Sequence, residues 1–152
     1  MDASYQDCED RKSIEAYIFF YARSPISWNS RKEEIVARSS TSAEYVAMDG
    51  AMREGMWLHK VMVQMGIRQE EDLPITIFTD SDNAFTIIKK DNYAKATKWL
   101  DARYHFVRHA VRSGTASFVL IPSEENIADA LTKPLGRERF EKMRKLMIYS
   151  EN

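Results

Sequence analysis

Over residues 42–65 small and apolar side chains return at helical spacing: Ala43, Val46, Ala47, Ala51, Trp57, Leu58, Val61 and Met65. A helix of that length with one apolar stripe must lie against another layer to be stable. Its start is marked by the run Ser39-Ser-Thr-Ser-Ala-Glu-Tyr45, which reads as a capping box. In that reading the Thr41 hydroxyl caps the helix and Glu44, three residues on, reaches back to a freed amide. Gly66 is placed to stop the helix. Gly50 and Gly55 weaken its interior and mark close packing against a sheet. The methionines at 48, 52, 56, 62 and 65 read as core filling.

The layer beneath the helix is written in the flanking sequence. Residues 1–5 read as the end of a strand, 13–21 as a β-rich aromatic run, and 25–28 and 35–37 as further strand pieces separated by the polar residues 29–34. Short consecutive strands of this kind form an antiparallel meander. After the helix, Pro74 introduces the strand 75–79, and the cluster Asp80-Ser-Asp-Asn83 caps a helix running through Ile88. A helix over 97–112, a strand over 116–121, a short helix over 126–132 and an amphipathic helix over 137–147 complete the order. A meander followed by alternating helices and strands implies an α/β fold with a mixed sheet.

With 152 residues, 44% hydrophobic and 30% charged, the chain suits one folded domain, 1–152. No apolar run has the length of a membrane span and no secretory leader pattern is present, so an intracellular protein is expected. Cys8 is the sole cysteine, which excludes an internal disulfide and cysteine-rich zinc sites. The net charge of −1 does not mark a nucleic-acid binder by itself. Basic residues nevertheless crowd the middle, from Lys89 and Lys90 through Lys95, Lys98, Arg103 and Arg108 to Arg112.

Four carboxylates fall where α/β sheets place their sites, at the carboxyl ends of strands and the helices beside them. Asp2 lies on the first strand, Glu44 at the start of the long helix, Asp80 just past the fourth strand, and Asp129 in the short helix after the last strand. Each has a plainer role available. Glu44, Asp80 and Asp82 can cap helices, and Asp129 can face the positive end of its own helix. Asp101 reads as a surface ion-pair partner among Lys98 and Arg103. His105 and His109 share a helix face but lack the glutamate of a zinc-protease motif.

The motifs, taken in order, resemble the ribonuclease H domain of copia-type LTR retrotransposon Pol polyproteins. They are Asp2-Ala-Ser-Tyr5, Arg11-Lys-Ser13, Tyr17-Ile-Phe19, Ser24-Pro-Ile-Ser-Trp28, Ser39-Ser-Thr-Ser-Ala-Glu-Tyr45, Thr79-Asp-Ser81, Arg103-Tyr-His-Phe-Val-Arg108 and Glu124-Glu-Asn-Ile-Ala-Asp-Ala-Leu-Thr-Lys-Pro-Leu135. The resemblance implies a five-stranded ribonuclease H-like fold, an antiparallel meander then parallel strands, with helices on both faces. It implies endonucleolytic hydrolysis of the RNA strand of RNA–DNA hybrids during reverse transcription, beside a reverse transcriptase domain of the same polyprotein. Asp2, Glu44, Asp80 and Asp129 match its metal-binding carboxylates for two Mg²⁺ ions, with Mn²⁺ as a substitute.

That chemistry is physically coherent. Two divalent ions about 3.5–4 Å apart activate water and stabilise a leaving oxygen. Gathered carboxylates without a cation repel and hold their protons. Ser4, Ser81 and Asn83 stand next to the carboxylates as sugar or phosphate donors, and Lys89, Lys95 and Lys98 as phosphate contacts. Two departures stand out: only Met1 precedes Asp2, cutting the first strand short, and Pro122-Ser-Glu-Glu-Asn126 carries no histidine where many ribonucleases H have a mobile one. The alternative is a catalytically decayed or domesticated module of this fold that binds nucleic acid or protein without cleavage. An integrase core fits the Ala-Asp-Ala-Leu-Thr-Lys stretch poorly.

Overall fold

A computed structural model describes residues 1–5, 11–33, 36–37, 39–89 and 101–148. Its strands are β1 (Asp2–Ser4), β2 (Ile14–Tyr21), β3 (Ser24–Lys32), β4 (Ile75–Thr79) and β5 (Ala116–Leu120), and its helices α1 (Ser40–Gln64), α2 (Asp82–Lys89), α3 (Asp101–Arg112), α4 (Asp129–Thr132) and α5 (Arg137–Met147). A 3₁₀ turn, Ser123–Glu125, precedes α4.

The strands form two sheets rather than the single five-stranded sheet expected. One is antiparallel, in the order β1-β2-β3, and the other pairs β4 with β5 in parallel. The reason is the length of β1. Its three residues pair with Ile14, Glu15 and Ala16 on one side. On the other side the backbone nitrogen of Met1 donates to the Phe78 carbonyl at 2.8 Å, which joins the two sheets at a point rather than along a ladder.

The polar residues 29–32, expected to interrupt the meander, belong to β3 instead. β3 is an edge strand whose residues alternate between exposed and half-buried, and such a strand accepts polar side chains on its open side. No strand is seen at residues 36–37, and Ile35 lies outside the described residues.

Strand alternation gives the β1-β2-β3 sheet two working faces. Glu15 and Phe19 face α1, where a side chain at Gly55 would meet the Phe19 ring at 3.1 Å and Ile75 at 3.1 Å. That approach is why the helix interior tolerates a glycine there. Asp2, Ala16 and Ser30 are register partners on the opposite face, and this face is covered by α4, with Ser30 donating to the Leu131 carbonyl. The core lies between α1, α3 and the strands and includes Tyr45, Met48, Met52, Val107, Ile77 and Phe118.

The cap of α1 differs from the expected box. Ser39 is the N-cap, its hydroxyl accepting from the Ser42 amide at 3.2 Å, and the chain leaves the helix through Met65 and Gly66, whose φ of +70° suits glycine. Thr41 is therefore inside the first turn, and Glu44 is released from capping.

Candidate metal centre

Asp2, Asp80 and Asp129 come together: each offers an oxygen, and these atoms lie within 4.8 Å of one another. Three separate parts of the chain supply them. Asp2 sits on the α4 face of β1, fully buried. Asp80 follows the last residue of β4, and the capping of α2 falls not to it but to Ser81, whose hydroxyl accepts from the Ala84 amide at 3.3 Å. Asp129 opens α4 and is also fully buried.

Glu44 stands beside this group without joining it. Burial pushes its carboxyl up to about 8, the charges of Asp2 and Asp80 add to that, and Lys133 and a hydrogen bond from the Ala3 backbone oppose it. Its Oε2 is buried with no hydrogen-bond partner among the described residues. An orphaned carboxylate oxygen next to three converging carboxylates fits an oxygen-seeking cation such as Mg²⁺, and the donor set contains no sulfur or imidazole that would favour a softer metal.

Four groups absent from the expected site hold these carboxylates in place. Thr132 donates its hydroxyl to Asp2 Oδ2. Lys133 donates to Asp129 Oδ1 at 2.8 Å and bridges to Asp2, 3.3 Å from Oδ2 and 3.4 Å from Oδ1. Arg139, on α5, donates to Asp129 Oδ2 and to the Ser123 carbonyl. Asn126, buried at the end of the 3₁₀ turn, donates to Asp80 Oδ1 at 2.9 Å and to the Met1 carbonyl at 3.1 Å. Burial also raises the Asp2 carboxyl, against the Thr132 hydrogen bond and the Lys133 charge. Burial pulls the Lys133 ammonium down, but its bonds to Asp129 and Asp2 outweigh this and its value rises. Lys133 stands four residues after Asp129, the helical spacing for an ion pair, so it was legible in principle. Arg139 carries no comparable local signal.

The other expected site residues are dispersed. Ser4 is buried on β1 and Ser81 is engaged as a cap, while Asn83 and Lys89 are exposed on α2. The Lys89 ammonium lies 4.3 Å from the centroid of the Phe85 ring. Lys95 and Lys98 lie outside the described residues. Arg103 lies 3.7 Å from Asp49, and the side chain of Asp101, read as a surface ion-pair partner, lies outside the described residues.

A second set of buried acids occupies the α1 face. Glu15 pairs with Arg31, and Asp49 with Arg53 at 3.1 Å and with Arg103. Glu33 is pushed up to about 7 by burial and by the Glu15 charge.

Comparison with known proteins supplies the lineage. The chain is 35% identical over 146 residues, 96% of its length, to the retrovirus-related Pol polyprotein from transposon TNT 1-94 of Nicotiana tabacum. It is 34% and 33% identical over 135 residues to the corresponding polyproteins from transposons RE1 and RE2 of Arabidopsis thaliana. The chain is a copia-type retrotransposon Pol relative. It spans 11% of the tobacco polyprotein and 9% of each Arabidopsis one, so it matches a single segment of these Pol polyproteins. No protein-family profile and no solved structure matches it. Among the described residues of this chain, no helix is long and apolar enough to cross a membrane.

Proposed function

We propose that this Pol segment is a ribonuclease H domain that hydrolyses the RNA strand of RNA–DNA hybrids with divalent metal. The observation that carries the reading is the convergence of Asp2, Asp80 and Asp129 from β1, the end of β4 and α4, with the unpartnered Glu44 oxygen beside them. Like charges so placed are costly unless cations serve them, and Lys133 and Arg139 contact only Asp2 and Asp129. Mg²⁺, or Mn²⁺ in its place, supplies an activated water and stabilisation of the leaving oxygen when two ions are bound.

The chain's own residues do the rest. Asp2 and Asp80 would be the central ligands and, as the resemblance implies, Glu44 would support the side of the leaving group and Asp129 the side of the attacking water. Asn126 fixes the orientation of Asp80 and ties it to the Met1 carbonyl, the role of a group behind the ligands. Thr132 does the same for Asp2. Asn83, exposed at the start of α2 just beyond Asp80, and Lys89, exposed at the far end of that helix, offer a donor and a charge to the sugar–phosphate backbone, and such contacts make binding weaken with salt. Other domains of a Pol polyprotein are the natural neighbours for such a segment.

One observation favours the second reading, a binding module that has lost cleavage: Lys133 and Arg139 already engage Asp2 and Asp129. A labelled RNA–DNA hybrid incubated with the protein and Mg²⁺ separates the two. Shortened RNA product, absent with EDTA and absent with Asp80→Asn, supports the nuclease. Hybrid retention on a filter with no product under any divalent ion establishes the binding module instead.

A further inference from the structure

The donors around Asp2 and Asp129 lead to a conclusion about how the site fills, resting on the metal-dependent reading above. The Lys133 ammonium contacts one oxygen of Asp129 and both oxygens of Asp2. Arg139 takes the other Asp129 oxygen and Thr132 also holds Asp2 Oδ2. Every carboxylate oxygen of Asp2 and Asp129 thus already has a protein donor. Asp80 is engaged through Oδ1 by Asn126, a neutral amide, and Glu44 Oε2 has no partner among the described residues. The four carboxylates outnumber the two side-chain cations that contact them, Lys133 and Arg139, and the buried Met1 amino group also faces them.

We propose that Lys133 is a resident cation occupying one of the two metal positions. The Asp80 and Glu44 side accepts a first divalent ion directly, and a second binds only by displacing the Lys133 ammonium from Asp2 and Asp129. Lys133 suits this part better than Arg139. It is a point charge on a flexible stem, half-exposed and bridging two acids, whereas Arg139 is also anchored to the Ser123 carbonyl. The chain thereby trades tight loading of its second ion for a site whose acids are never left unopposed.

Titrating the protein with Mn²⁺ in the absence of nucleic acid, and following free Mn²⁺ by electron paramagnetic resonance, reads ion number and affinity without cleavage. Wild-type protein should bind one ion, then a second at least about tenfold more weakly. Lys133→Met should tighten the second ion by about tenfold, while Lys133→Arg keeps the gap. Acylation of the Lys133 amine in wild-type protein, read by mass spectrometry, should increase as the second ion binds and not as the first does, which keeps the proposal testable if Lys133→Met does not fold. Two equal sites in the wild type, an unchanged or weaker second site in Lys133→Met, or flat Lys133 labelling across the titration overturns the proposal and leaves the metal-dependent reading standing. If neither wild type nor variant binds any ion, the metal-dependent reading falls, and the proposal with it.

Discussion

Two groups of buried acids draw on the same helix and end differently. Glu44 and Asp49 are both on α1. Glu44 is beside Asp2, Asp80 and Asp129, whose oxygens crowd one another. Asp49 is in the company of Glu15 and Glu33, and there two of the three acids pair with arginines: Arg31 on Glu15, Arg53 and Arg103 on Asp49. Burial and perturbed protonation alone do not separate the two, since Glu44 and Glu33 are both pushed upward. Convergence separates them. Glu15 and Asp49 keep arginines and tie elements together, although Glu15 Oε2 and Glu33 Oε1 find no hydrogen-bond partner among the described residues; Asp2, Asp80 and Asp129 instead bring oxygens from three elements to one point, where they could hold a metal ion.

The sharpest way to break this comparison is to remove one acid from each group and measure hybrid cleavage. Asp80→Asn should lower Mg²⁺-dependent cleavage by more than the roughly 100-fold typical of a supporting residue. Glu15→Gln should leave the rate per folded molecule unchanged. Equal losses would erase the distinction.

Protonation gives the next largest effect. Glu33 has an ordinary value of 4.5 and is raised to about 7 in the fold. It therefore holds its proton more tightly folded than unfolded. The stability it contributes is complete below pH 4.5 and is lost as pH rises through about 7. The full span is on the order of 3 kcal/mol. Thermal melting at pH 5 and pH 8 in EDTA should show the decline, and Glu33→Gln should shrink it, leaving the part that Glu44 contributes. A wild-type curve that rises over this range would contradict the assignment.

Metal linkage follows. Mg²⁺ at about 100 times its dissociation constant should stabilise the protein by about 2.7 kcal/mol, seen as a raised denaturation midpoint. Glu33→Gln should keep the increment and Asp80→Asn should lose most of it. The smallest effect concerns the shared helix. Ser39→Ala should cost about 1 kcal/mol by removing the cap of α1, while Thr41→Ala should change stability by under about 0.5 kcal/mol. Chemical denaturation of both variants checks which hydroxyl starts the helix that carries Glu44.

Much of this frame was readable beforehand. Strand 75–79 and helix 137–147 stand where their patterning put them, because a strongly β-branched run after Pro74 and an amphipathic repeat bounded by Gly136 leave few alternatives. The α1 cap was misplaced by two residues. In a run of hydroxyl residues local chemistry does not choose among them, and packing of the helix does. The polar end of β3 was misjudged because edge strands relax the apolar pattern on which strand reading depends. Chain order and resemblance singled out four acids, of which Asp2, Asp80 and Asp129 converge and Glu44 stands beside them. Their supporting layer was mostly missed, since Asn126 and Arg139 reach Asp80 and Asp129 through tertiary proximity that local sequence does not encode.

The junction between the sheets has a mechanical side. Asp2 belongs to the three-stranded sheet and Asp80 leaves the two-stranded one, and the backbone bridge from Met1 to Phe78 lies between them. An ion gripping both aspartates would act as a rivet across that seam, and the amides flanking Phe78 would be its strain gauge, exchanging with solvent more slowly once the rivet is in.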